Sequence, residues 1–287
     1  MNRQQGVALI SVLLIMSLAL LLTSAMLRNH RLVIKSTAQQ LHQMELRQLG
    51  FAAERWALQR LRSTDLQDAR SVNLAQNWAH LTPPDFAENA TLHIEIEDLA
   101  ARFNLSLLST RGKAESLTQA RWLRLLALLQ INTPSLEHLP NTGLEHLTDA
   151  SQLRMLPGVS VQVLQRLLPM VAVLPKDASL NINTASAQQL MTLADLSQAT
   201  AQTLVQQRPD EGYRSVQAFT EDPLISGREV GSHGLGLSSR WFRVTVQVSV
   251  GTQRLHLFSD VELEGKTRQV NVLQRRFATP QTNGSST

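Results

Sequence analysis

From Val7 to Leu27 the chain reads VALISVLLIMSLALLLTSAML, a run without charge whose polar members are Ser11, Ser17, Thr23 and Ser24. At about 1.5 Å per helical residue, such a stretch crosses roughly 30 Å of hydrocarbon, so the pattern predicts a membrane span. Ile34, Ala38, Leu41, Met44, Leu49, Ala52 and Trp56 then recur at helical spacing, with Gln, Arg and His between them. One helix is therefore expected to continue through residues 28–62. The competing reading is a cleaved secretory signal with Thr23-Ser24-Ala25 as its small-residue site. The length of the run, and a periodicity that passes through that site, count against it.

Residues 63–89 are polar and end in Thr82-Pro83-Pro84-Asp85, a loop signature. Leu92, Ile94 and Ile96 alternate with His93, Glu95 and Glu97, the mark of a half-buried strand. Between Glu115 and Pro223 the pattern turns helical: Gln119 to Gln130 is rich in Leu and Arg, Val161 to Leu174 is apolar, and Ala187 to Gln207 reads helix, tight turn, helix. Strands then return, with Val244, Val246, Val248 and Val250 alternating before a Gly251-Thr252 turn, Leu255 and Leu257 opening a second strand, and Val270 to Leu273 in a third. One strand before a helical block and three after it predict an α+β fold, a single sheet whose connection is expanded into a helical insertion.

Composition narrows the chemistry. Among 287 residues there is no Cys, which removes disulfides, thiol nucleophiles and Cys-based metal sites, and 27 Lys+Arg against 23 Asp+Glu leave the chain only mildly basic. No G-x-S-x-G elbow, H-E-x-x-H pair or phosphate loop occurs, so no enzyme is predicted. The tandem Leu136-Glu137-His138-Leu139 and Leu144-Glu145-His146-Leu147, with Pro140 and Gly143 between them, offer metal donors but read better as two similar helix turns. Trp56, Trp78, Trp122 and Trp241 have no cage-like spacing and are assigned to the core or to interfaces. The polar tail 278–287 is expected to be disordered.

The leader MNRQQG ends in Gly6 directly against the apolar run. A short basic leader ending in Gly, then a long apolar helix that continues as an amphipathic one, resembles the type IV pilins and the pseudopilins of type II secretion. The resemblance implies that prepilin peptidase cuts between Gly6 and Val7, that Val7 is then N-methylated, and that the span is both anchor and assembly helix. Most of that class carries Glu at the fifth mature position, which here is Ser11. In the class this Glu pairs with the terminal amine of the subunit ahead; unpaired in hydrocarbon it would cost about 2.5–3.5 kcal/mol. A subunit with nothing ahead needs no Glu, and K-type minor pseudopilins are the members known to lack it and to sit at the filament tip. The plainer reading of Ser11 is a tolerated small polar residue.

Glu97-Asp98-Leu99-Ala100-Ala101-Arg102-Phe103-Asn104-Leu105 resembles the E-D-x-x-x-R-F-N-L segment of K-type pseudopilins. As plain structure it reads as a salt-bridged strand end, with Asp98 near Arg102 and Asn104 in a turn. Leu156-Pro157-Gly158-Val159-Ser160 looks like a helix-hairpin-helix turn. Ile182-Asn183-Thr184-Ala185-Ser186-Ala187, followed by Leu190, Leu193 and Leu196, resembles the I-N-x-N-T-A opening of hairpin domains in DNA-uptake receptors. Such hairpins hold phosphate through bare backbone N–H groups. Here the second tip is Ala194-Asp195-Leu196-Ser197, and residues 180–224 carry Asp195, Asp210, Glu211, Glu221 and Asp222 against Arg208 and Arg214. Five acids against two bases oppose a nucleic-acid footprint, so the hairpins are read as packing devices.

The resemblance implies a leader at 1–6, a transmembrane helix at 7–27 and its continuation at 28–62. It further implies a pseudopilin β-subdomain from 85–114 and 226–277, an all-α insertion at 115–225 and the tail at 278–287. It implies a minor pseudopilin at the pseudopilus tip that starts assembly for the export of folded periplasmic proteins. Its partners would be I- and J-type minor pseudopilins, the major pseudopilin, prepilin peptidase and the inner-membrane assembly platform. The alternative is a membrane-anchored DNA-uptake protein. No cofactor is expected; calcium is possible by family resemblance, but no Asp-rich loop supplies ligands. Arg3 and the terminal amine precede the span whereas Arg28, Arg31 and Lys35 follow it, so charge alone would leave the large domain in the cytoplasm. The resemblance implies the reverse: an inner-membrane, single-pass protein with a cytoplasmic N-terminus and a periplasmic domain.

Overall fold

The computed structural model describes residues 4–63, 71–109, 113–139, 147–228, 230–265 and 269–278. Met1 to Arg3 of the leader, Pro140 to His146 with the second Leu-Glu-His copy, and the tail from 279 lie outside the described residues.

A single helix, α1, runs over Gln4–Ser63. Residues 11–44 are exposed throughout, and from Leu46 onward Ala53, Ala57 and Leu61 turn one face inward. That face rests on a four-stranded antiparallel sheet in the order β1, β6, β7, β8, formed by Ala90–Asp98, Trp241–Val250, Gln253–Leu263 and Val270–Ala278. The small side chains of Ala53 and Ala57 let the helix approach closely, while Ile94, Ile96, Val244, Val246, Val248, Leu257 and Val261 fill the sheet's inner face. Period-2 alternation puts these residues on one side: Ile94 stands opposite Val246, which stands opposite Leu257.

The expected apolar stripe along α1 needs correction. Ile34, Leu41 and Met44 are more than half exposed, and Ala38 is exposed too; Leu49 and Trp56 only flank the core. The buried line is Leu46, Ala53, Ala57 and Leu61, turned around the helix from the expected one, because none of the described residues packs against the apolar positions nearer the span.

Between β1 and β6 the chain leaves the sheet. A short strand β2, Phe103–Asn104, leads to α2, Lys113–Leu128, and α3, Pro134–Glu137. Then come α4, Val161–Leu167, and β3, Val171–Ala172, which pairs in parallel with β2. The single apolar helix expected over Val161 to Leu174 therefore stops early. Pro169 allows only a 3-10 turn over Leu168–Met170, and the chain then becomes extended. Strand β4, Leu180–Asn181, precedes α5, Ala187–Met191, α6, Gln198–Gln206, and α7, Val216–Thr220. Strand β5, Leu235–Gly236, pairs in parallel with β4. This insertion has its own cores, one around Trp122, Leu125, Leu136 and Leu153, the other around Ile182, Leu190, Leu204 and Phe219.

The insertion leaves the sheet at the Asp98 end of β1, which pairs with Phe242 at the start of β6. The β6–β7 hairpin lies at the opposite end, nearer the span, where Gly50 of α1 comes against Val248, Leu255 and Leu257. The insertion thus stands at the end of the sheet away from the apolar half of α1.

Candidate assembly helix and its junction with the insertion

Gly6 and Val7 lie within α1, and Ser11 is exposed on it. Two polar residues of the span are accommodated inside the helix: the Ser17 hydroxyl donates to the Leu14 carbonyl at 2.8 Å and that of Thr23 to the Ala19 carbonyl at 2.8 Å. Back-bonded hydroxyls of this kind are tolerated in hydrocarbon because no donor is left bare. Ser11–Ser63 contains the one described helix long and apolar enough to cross a membrane.

The second feature is a buried polar junction, which joins the two strings singled out in the sequence. Asp98 is 4% exposed and closes β1. One carboxylate oxygen accepts from the Ala100 N–H at 2.8 Å. The other accepts from Asn181 Nδ2 at 2.8 Å and Thr184 Oγ1 at 2.6 Å. Asn181 donates a second time to the Val72 carbonyl at 2.9 Å and accepts from the Asn183 N–H at 3.0 Å. The sheet end, the stretch after α1 and the insertion therefore meet on one carboxylate and one amide. The expected ion pair between Asp98 and Arg102 does not form: Arg102 reaches Glu97 at 2.8 Å and the Leu168 carbonyl at 3.2 Å. Alternation decides this, because Asp98 faces inward while Glu97 lies on the accessible side. Asn104, expected in a turn, is buried in β2; it donates to the Pro175 carbonyl and accepts from the N–H groups of Ser106 and Leu174.

Sequence reasoning missed Asn181. For Asn181 the available signal is a polar residue framed by Leu180 and Ile182 in an otherwise apolar stretch, which in a buried strand needs a partner.

Burial pushes the Asp98 carboxyl above its ordinary value, against the hydrogen bonds from Thr184, Asn181 and Ala100 that favour the ionised form. A carboxyl raised on folding supports the fold fully below its unfolded value of about 3.9 and loses that contribution as pH rises through the higher folded value. Compared with Asp98→Asn, which cannot titrate, the native full chain in detergent should lose relative melting temperature as pH rises from about 4. A difference that stays constant between about pH 4 and 8 would contradict this placement.

The hairpins are built as packing units. Ser160 caps α4 by accepting from the Val163 N–H, and Ser197 caps α6 by accepting from the Thr200 N–H. Gly158, with φ of +79°, makes the first tip. At the second, Asp195 is exposed and its carbonyl accepts from Arg228 at 2.7 Å. The nearby cations are committed to main-chain carbonyls: Arg208 to Asn183 and Ala185, Arg121 to His233 and Gly231, and Arg124 to Thr192 and Leu193. Asn183 bridges both the N–H and the carbonyl of Tyr213, and a Cβ at the neighbouring Gly212 would come within 2.6 Å of its side chain. Of the Leu-Glu-His repeat, His138 is exposed and lies 2.9 Å from the Pro134 carbonyl. Among the described residues no group of three or more His, Asp or Glu gathers in a metal-binding arrangement.

Comparison with known proteins agrees with this architecture. The family model for protein K of the type II secretion system matches residues 180–238, which include Asn181, Asn183 and Thr184. The type II secretion system protein K of Pseudomonas aeruginosa is 29% identical across 95% of this chain and 92% of its own length. That of Klebsiella pneumoniae is 29% identical across 96% of this chain and 97% of its own. Among solved structures, a chain of the GspK-GspI-GspJ complex from the enterotoxigenic Escherichia coli type 2 secretion system superposes with a TM-score of 0.70. It shares 21% identity, covers 85% of this chain and is itself covered to 99%, a likeness of fold.

Proposed function

We propose, from the premise that the chain belongs to the protein K family of type II secretion systems, that this minor pseudopilin stands at the tip of the pseudopilus and starts its assembly. The observation that carries the reading is the division of α1: residues 46–61 are committed to the sheet, while residues 11–44 are exposed and include an apolar run to Leu27 that none of the described residues covers. Such a helix is stable in a bilayer, and equally in a bundle of like helices, where close packing replaces lipid contact.

Two further features support the tip position. Ser11 stands where a subunit with a neighbour ahead of it would carry Glu. The insertion stands at the end of the sheet away from the span, where its bulk obstructs addition of another subunit above. Prepilin peptidase would cut between Gly6 and Val7, with Val7 then N-methylated, which requires a cytoplasmic N-terminus and a periplasmic domain. Its partners would be the I- and J-type minor pseudopilins, the major pseudopilin and the inner-membrane platform, for export of folded periplasmic proteins. The protein acts by assembly and not as an enzyme, and calcium is not needed in this account.

Full-length chain solubilised in detergent should copurify with co-expressed I- and J-type minor pseudopilins as a stable complex. It should leave DNA unshifted at micromolar concentration in low salt. Absence of the complex, with DNA binding that weakens steeply as salt rises, would replace this reading with the DNA-uptake alternative.

A further inference from the structure

We infer that Arg28, Arg31 and Lys35 form a clamp for anionic phospholipid headgroups at the membrane boundary. The inference rests on the reading of residues 7–27 as a membrane span. Arg28 follows the last apolar residue of the span directly, and the three cations recur at intervals of three and four residues, which places them on one face of α1. All three are exposed, and among the described residues none has an ion-pair partner. Between Gln4 and Met44 the helix carries no acid; Glu45 comes first.

Depth points to the headgroups. The polar layer on each side of the hydrocarbon is about 5–7 Å thick, and Arg28 to Lys35 covers about 10 Å along the axis at about 1.5 Å per residue. Arg28 and Arg31 therefore lie within that layer, and the long Lys35 side chain reaches back to it. The phosphate of an anionic lipid is the negative group available there, and each cation near such a surface raises binding about fivefold.

The face decides between lipid and a neighbouring subunit. Arg28 precedes the buried Leu46 by about five whole turns, so the cations lie on the same side as the sheet-packing line. Leu27, Ile34 and Leu41 recur every seventh residue on a separate flank and are all more than half exposed. That apolar flank is the one suited to close packing against other helices, while the basic face looks to the headgroup layer beneath the folded domain.

The test uses the full-length chain in a neutral detergent, titrated with phosphatidylglycerol or phosphatidylcholine and read by native mass spectrometry. The native chain should retain phosphatidylglycerol at least tenfold more strongly, and Arg28→Gln/Arg31→Gln/Lys35→Gln should retain the two lipids equally. Gln keeps helix propensity at these exposed sites, so the variant should fold as the native chain does. Equal retention by the native chain overturns the proposal, as does an undiminished preference in the variant, even one that assembles poorly with other subunits. Release of the native chain from membranes by alkaline carbonate would instead overturn the span itself, and with it this proposal.

Discussion

Arg275→Ala is expected to destabilise the full chain by about 3–5 kcal/mol, the cost of leaving a buried charge without its partner. Glu54 lies inside α1 against the sheet at 1% exposure, and its two oxygens accept from Arg275 Nε at 2.8 and 3.0 Å. The Arg275 side chain is 44% exposed and stacks near the Phe51 ring, 5.8 Å from its centre. The two partners are thus unequal. Without Arg275 the carboxylate has no solvent to turn to, whereas without Glu54 the guanidinium remains in contact with water. Glu54→Ala should therefore cost distinctly less than Arg275→Ala, by chemical unfolding of the detergent-solubilised chain followed by circular dichroism. Equal losses would mean that the pair is no asymmetric tie between β8 and α1.

The second large effect is expected at Trp122, in the core of the insertion. It is fully buried, lies 5.3 Å from Phe103 between ring centres, and donates from Nε1 to the Leu136 carbonyl at 2.7 Å. Trp122→Ala should cost about 3–5 kcal/mol through the cavity it leaves, and Trp122→Phe about 1–3 kcal/mol through the unpaired carbonyl. Because this core is separate from the one beneath α1, the loss should be regional. Hydrogen exchange should rise across α2, α3 and α4 while β6 and β7 stay protected. A uniform rise throughout the chain would show that the insertion and the sheet unfold as one unit.

Much of this fold was legible because its signals are local. The apolar run and its helical continuation mark α1, which ends at Ser63, and the valine alternation after Trp241 marks β6. What could not be read depends on contacts distant in sequence. The charge pattern suggested Asp98 with Arg102, but the partners of Asp98 include Asn181 and Thr184, more than eighty residues away. The line that α1 buries, Leu46, Ala53, Ala57 and Leu61, does not follow from spacing alone, because spacing marks apolar residues without saying which of them the sheet covers. The helix from Val161 stops at Leu167 because Pro169 cannot continue it, a stop that the apolar run around the proline masks in the sequence. Gly6, Val7 and Ser11 carry no local signature of their role; only the likeness to a known class pointed to them.

The most direct measurement is the mature N-terminus, determined by mass spectrometry on protein from cells with and without prepilin peptidase. The chain should begin at N-methylated Val7 when the peptidase is present and keep an intact leader when it is absent. A terminus at Met26, or an unprocessed Met1 in cells that have the peptidase, would contradict it.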